Sequence, residues 1–101
     1  MYVELLKTNI QEFIKENLSD LHDFYEGKYK VIRNERTDTQ KGKVYVLEYT
    51  FVQLEEEYRT VKYFLELGEN YYLGLYCLGP SREFPEVYND FIKVFESMRK
   101  D

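Results

Sequence analysis

The sequence predicts an α+β protein built from a helix, a four-stranded antiparallel meander and a second helix, with the helices packed on the sheet. Three observations predict this class. Apolar residues recur every three or four positions near both ends of the chain and every second position between them. Short turn-like segments separate the period-two stretches, and such short connections imply antiparallel pairing. The 101 residues are 44% hydrophobic, enough for one core.

The first helix is predicted to start at Val3 and to fade near Ser19. One side of it carries an apolar stripe, and charged residues such as Glu4 and Lys7 occupy the other side. Gly27 then separates the predicted helix from the strands that follow. The stripe consists of Val3, Leu6, Ile10, Phe13, Ile14, Asn17, Leu18 and Leu21.

Four strands are predicted in the middle of the chain, where β-branched and aromatic residues dominate. They run from Lys28 to about Arg36, from Lys43 to Gln53, from Tyr58 to about Leu67, and from Tyr71 to Leu78. Both faces of the second and fourth strands are largely apolar. Either a helix covers each face of the sheet, therefore, or a partner buries one of them.

The second helix follows Gly79 and Pro80. Pro85 fits the first turn of a helix, where its missing N–H costs nothing. Glu86 and Arg99 lie near the helix ends whose partial charges they complement. The apolar face of this helix consists of Phe84, Val87, Tyr88, Phe91, Ile92, Val94, Phe95 and Met98.

Composition places limits on organisation and function. No linker or repeat interrupts residues 1–101, so a single domain is predicted. The net charge of −5 argues against a protein that coats nucleic acid. One cysteine allows no internal disulfide, and no apolar run is long enough to cross a membrane. The charged N-terminus is no signal peptide, which predicts a cytoplasmic protein unless the chain is a trimmed domain of an exported one.

Three segments carry a resemblance to a known group. They are the strand that follows Gly42, the strand start Tyr71-Tyr72-Leu73, and the helix end from Phe91 to Arg99. In these the chain resembles the PsbP-like superfamily, which includes the photosystem II extrinsic protein PsbP, the Ran-binding Mog proteins and DcrB-type bacterial domains. The N-terminal hairpin usual in the group is lacking. The resemblance implies an antiparallel sheet sandwiched by helices, and it implies no single activity because functions differ widely across the group.

No catalytic constellation is visible in the sequence. Cys77 lies in the middle of a predicted strand, where a buried, inert thiol is expected. The carboxylate neighbours of His22 would favour a role as a base, but no partner forms a recognisable dyad with it, and the alternative is a solvated residue at a helix end. We therefore predict that the protein is not an enzyme and that it has no cofactor and no metal.

Two surfaces depart from an ordinary solvated exterior. Residues 28–43 carry a local charge of +4, and Lys30, Arg33, Arg36 and Lys43 are candidates for docking an acidic partner, a lipid headgroup or nucleic acid. The alternative is an edge strand that lysines protect from edge pairing.

The tyrosines of the predicted sheet form the second candidate surface. An aromatic platform for a partner would consist of Tyr45, Tyr49, Tyr63, Tyr72 and Tyr76, and the first, second and last of these are the candidate contact residues. The alternative is a core built from rings in a sequence that contains no alanine.

These observations predict a non-enzymatic binding or assembly module of PsbP-like type. Its partner would be a protein or a second copy of the chain, not nucleic acid. The alternative is a small acidic inhibitor or immunity-type protein that masks a basic enzyme, since acidic inhibitors gain association rate through electrostatic steering.

Overall fold

The computed structural model describes residues 2–97 of the chain. Five strands form one sheet, which holds 54% of these residues, and two helices accompany it. Met98 and Arg99, predicted in the second helix, lie outside the described residues. The elements are β1 (Tyr2–Lys7), α1 (Ile10–Tyr25), β2 (Tyr29–Thr39), β3 (Gly42–Gln53), β4 (Glu56–Gly68), β5 (Tyr71–Pro80) and α2 (Phe84–Ser97).

The sheet is antiparallel throughout, in the spatial order β1-β5-β4-β3-β2. The four strands from β2 to β5 follow one another as a meander. The chain begins with β1, however, and β1 joins the sheet at the edge formed by β5. The described residues thus leave β1 and β2 as the two edge strands.

The predicted order of helix, four-stranded meander and helix is wrong, because the segment Tyr2–Lys7 is a fifth strand. Its apolar residues suit a period of two as well as a helical stripe, and pairing with β5 decides between them, with Leu5 opposite Leu73. The helix starts only after Asn9, whose side-chain oxygen accepts hydrogen bonds from the backbone N–H groups of Gln11 (3.0 Å) and Glu12 (3.2 Å).

Each helix covers one face of the sheet. On the first face, Ile10 and Ile14 of α1 pack on Leu47, Phe64 and Tyr72. On the second, three rings of α2 pack on inward residues of β3, β4 and β5. The buried residues of that core are Val44, Val46, Val61, Tyr63, Leu65, Leu75, Cys77, Phe84, Phe91 and Phe95. The sheet is therefore the middle layer of three, which accounts for its two apolar faces.

The turn between β3 and β4 has unusual chemistry. Leu54 (φ 52°) and Glu55 (φ 65°) both adopt positive φ, the conformation that tight hairpin turns require and that Asn-Gly supplies most easily. Leu54 is also 94% exposed. Leu54 and Glu55 disfavour this conformation, so the pairing of the long strands β3 and β4 must stabilise the turn.

Candidate functional site

A β-bulge aims an arginine at a buried carboxylate. In the pairing of β2 with β3, Val31 lies opposite Tyr49 but Arg33 lies opposite Glu48, so Ile32 is an extra residue in β2. Without it, Arg33 would lie opposite Leu47 and face α1. With it, Arg33 and Glu48 share the face that α2 covers. Bulges commonly redirect a side chain next to a functional site.

Two arginines hold Glu48 from opposite sides. Arg33 on β2 donates from Nε to Oε1 of Glu48 at 2.7 Å, and Arg59 on β4 donates from Nε to Oε2 at 2.6 Å. Nη2 of Arg59 makes a second contact with Oε2. The Glu48 side chain is only 5% exposed, whereas those of Arg33 and Arg59 are 33% and 37% exposed. Two positive charges therefore meet one negative charge, and the cluster carries a net charge of +1.

Aromatic residues of α2 complete the surroundings of both arginines. The guanidinium of Arg59 lies 5.1 Å from the centre of the Phe84 ring, a cation–π contact. Nη2 of Arg33 donates to the hydroxyl of Tyr88 at 3.4 Å, and that hydroxyl lies 3.0 Å from the hydroxyl of Tyr63. These contacts attach the first turns of α2 to the charged cluster.

The pKa values of this network follow from the contacts. Burial opposes the charge of Arg33, but its hydrogen bonds, with that to Glu48 the strongest, outweigh burial and raise the pKa of the guanidinium. Burial and the hydrogen bond to Tyr88 raise the pKa of Tyr63 to about 12. Arg33 is therefore charged and Tyr63 is a neutral hydroxyl at neutral pH.

A cavity of about 520 Å³ opens beside the charged cluster. This volume lies within the range of small-molecule sites. Nη1 of each arginine has no hydrogen-bond partner among residues 2–97, so N–H donors remain for a ligand. We call this place the arginine pocket; its lining residues are Ile32, Arg33, Glu48, Arg59, Phe84, Pro85 and Tyr88.

The structure divides the predicted basic residues between the two faces of the sheet. Lys30, opposite Thr50, lies on the α2 face together with Arg33. Arg36, opposite Tyr45, and Lys43 lie on the α1 face. Lys30, Arg36 and Lys43 are exposed, and Arg33 alone of the four lines the arginine pocket.

The structure divides the predicted tyrosine surface: Tyr63 is buried in the core under α2, whereas the other four tyrosines lie on the face that α1 covers, with Tyr72 buried there. Tyr45, Tyr49 and Tyr76 are half-buried and pack against the core beneath that helix. The rings of Tyr49 and Tyr76 flank the amine of Lys62 at 5.6 and 5.5 Å, and this amine donates to Oδ1 of Asn17 at 2.7 Å. Burial lowers the pKa of Lys62. These rings thus enclose a cation of the protein itself.

The remaining polar candidates are dispersed. Cys77 is buried, and burial raises the pKa of its thiol. His22 is exposed at the end of α1, with Nδ1 at 3.3 Å from the hydroxyl of Tyr29. Among residues 2–97 no three His, Cys, Asp or Glu side chains are grouped as metal ligands would be. Neither α1 nor α2 is long and apolar enough to span a membrane.

Sequence reasoning missed most of the arginine pocket. It named Arg33 but not Glu48, Arg59, Phe84 or Tyr88 as site residues. One signal was available, since Glu48 interrupts a strand whose two faces are otherwise mostly apolar, and a buried charge needs partners.

Comparisons with known proteins add no candidate for the activity. No family model, no curated protein and no solved structure matches this chain. The interpretation of the site therefore depends on its geometry.

Proposed function

We propose that this protein is a non-enzymatic binding module of PsbP-like type that takes up an anionic group in the arginine pocket. The observation that carries the proposal is the convergence of Arg33 and Arg59 on Glu48 beside an open cavity. The single buried carboxylate fixes both guanidiniums, and the net charge of +1 remains available to an anion.

The exposure of the arginines supports binding over a purely structural role. An ion cluster is a weak way to stabilise a fold, because apolar residues of similar volume often do as well. Here Glu48 is shielded, while about a third of each arginine side chain faces the cavity and solvent. Guanidiniums fixed in place at a cavity mouth are preorganised to recognise a carboxylate or phosphate.

The PsbP-like part of the proposal draws support from the layer order alone. The resemblance implies an antiparallel sheet between helices, and α1 and α2 flank the sheet in this way. A strand, β1, also precedes α1.

Amide chemical shifts measured during anion titrations test the proposal. We expect acetate, phosphate, an oligoglutamate peptide or phenylacetate to shift the amides of Arg33, Glu48 and Arg59. Arg59→Gln should remove the response. The control is Arg36→Gln, which removes an exposed arginine of β2 on the other face of the sheet and should leave the response intact. Shifts spread evenly over all basic residues, or none at the pocket, would contradict the proposal.

A second candidate function rests on the outer face of α1. Glu12, Glu16, Asp20 and Asp23 are all exposed there, at spacings that place them along one side of the helix. This acidic stripe supports an inhibitor that masks a basic partner. Affinity capture with mass spectrometry tests it: a basic protein should be captured by the wild type and lost with Glu16→Lys plus Asp20→Lys. Capture that survives this charge reversal would reject the inhibitor role.

A further inference from the structure

We propose that the ligand of the arginine pocket is a small monocarboxylic acid with an apolar body. This inference rests on the proposed function and specifies the chemical class of the ligand. Three features of the pocket carry it: its charge, its walls and its size.

The charge of the pocket selects a single negative charge. Arg33 and Arg59 together supply +2, and Glu48 removes one unit. The single negative charge of a carboxylate balances the remaining charge of +1. A phosphate dianion would place its second charge near the buried Glu48, whose repulsion acts at short range in a poorly solvated site. No lysine lines the cavity to offset that repulsion.

The walls of the pocket suit an apolar group. Ile32 and Pro85 stand at its rim, and Ile32 is 41% exposed although it is aliphatic. Inside, the Phe84 and Tyr88 rings stack at a centroid distance of 5.7 Å with an interplanar angle of 19°. The Phe84 ring is buried behind Tyr88, so a ligand ring or short alkyl chain would cover the accessible apolar surface of Ile32, Pro85 and Tyr88 while its carboxylate meets the guanidiniums.

The bulge in β2 serves both parts of this recognition. The extra residue Ile32 turns Arg33 toward Glu48 and itself lines the cavity. One irregularity thus supplies a donor for the carboxylate and an apolar contact for the body of the ligand. This agrees with the general use of bulges next to binding sites.

Isothermal titration calorimetry with four matched probes tests the charge and the apolar body separately. Phenylacetate has both features, acetate has only the charge, phenylacetamide has only the body, and phenyl phosphate has the body with a higher charge. We expect phenylacetate to bind at least about tenfold tighter than each of the other three, a difference that calorimetry resolves.

Variants then assign the binding to the arginine pocket. Arg33→Gln should weaken phenylacetate binding by about tenfold or more, the loss typical of a charge-assisted contact. Since this variant also removes a partner of Glu48, Ile32→Ser provides a second test at a partly exposed rim position. It should weaken phenylacetate by a few-fold and leave acetate unchanged. Arg36→Gln is the matched control and should change neither.

The outcomes separate this inference from the proposed function. Equal affinity for phenylacetate and acetate, or tighter binding of phenyl phosphate, would overturn the ligand class. A peptide ending in phenylalanine that binds far tighter than phenylacetate would also overturn it in favour of a chain terminus. In each case anions would still shift the pocket amides and the binding function would stand. If no anion shifts those amides, both proposals fail.

Discussion

Replacing Glu48 by glutamine should destabilise the protein, because this carboxylate holds two arginines from different strands. Glutamine preserves the shape of the side chain and keeps one oxygen as an acceptor. Its amide group, however, presents N–H donors to the second guanidinium, which also has only donors. At least one charge-assisted hydrogen bond of 2.6–2.7 Å is therefore lost, and the other becomes weaker.

The size of the effect follows from burial. Hydrogen bonds to charged groups contribute roughly 1.5–3 kcal/mol each when buried. Arg33 and Arg59 are 33% and 37% exposed, so solvent compensates part of the loss by hydrating the released guanidinium. We expect Glu48→Gln to lower the free energy of unfolding by about 2 kcal/mol.

Urea unfolding followed by circular dichroism measures this change. Glu35→Gln is the control, because Glu35 lies on β2, opposite Val46 and on the same face, but is exposed. It should alter stability by less than about 0.5 kcal/mol. The double variant Glu48→Gln plus Arg59→Gln should be less unstable than the sum of the two single variants. A loss below about 0.5 kcal/mol for Glu48→Gln, or full additivity, would refute the cluster as described.

Three further predictions concern the fold. Phe91→Ala should cost about 3–5 kcal/mol in urea unfolding, because the ring is 0% exposed and packs edge-on against Tyr63 at 5.0 Å; a loss near 1 kcal/mol would contradict its central place in the core. Leu54→Asn plus Glu55→Gly should raise the free energy of unfolding by about 0.5–2 kcal/mol in thermal denaturation, because Asn and Gly adopt the positive φ angles of this turn with less strain. A decrease would show that the Leu54 and Glu55 side chains stabilise the turn. Folding raises the pKa of Tyr63 from 10.0 to about 12, so the contribution of this shift to the free energy of unfolding is full below pH 10.0 and is lost as the pH rises toward 12. In urea unfolding at a series of pH values, Tyr63→Phe should make the alkaline loss of stability shallower, and an unchanged dependence on pH would contradict the shift.

The sequence predicts those parts of the fold in which local pattern and tertiary pairing agree. Period-two runs predicted the four strands of the meander, and the antiparallel α+β character is confirmed. Tyr2–Lys7 was misassigned because its apolar residues fit a helical stripe that continues into α1, and only pairing with β5 separates the two readings. The helix boundary itself had a local signal in Asn9, a good N-cap residue.

The site was harder to predict because it depends on the β-bulge at Ile32, which has no partner residue in β3. Strict alternation along β2 places Arg33 on the face opposite to the one it occupies, and nothing in the local sequence marks Ile32 as a bulge. Glu48 and Arg59 are also adjacent only through the register of β3 with β4. The sequence indicated Arg33 and Glu48 singly, whereas the meeting of both arginines at Glu48 follows only from the register of the folded sheet.

The side-chain Nε–H resonances of the arginines test the central claim most directly, since each Nε–H belongs to the same guanidinium as the Nη1 donors that would bind an anion. Before any anion is added, those of Arg33 and Arg59 should be shifted downfield and slow to exchange, as expected for N–H groups bonded to Glu48. On titration with phenylacetate, the guanidinium signals of Arg33 and Arg59 should move together and saturate, while those of the exposed Arg36 and Arg82 stay in place. An equal response of all four arginines, or a response that leaves Arg33 and Arg59 unmoved, would contradict an anion site in the arginine pocket.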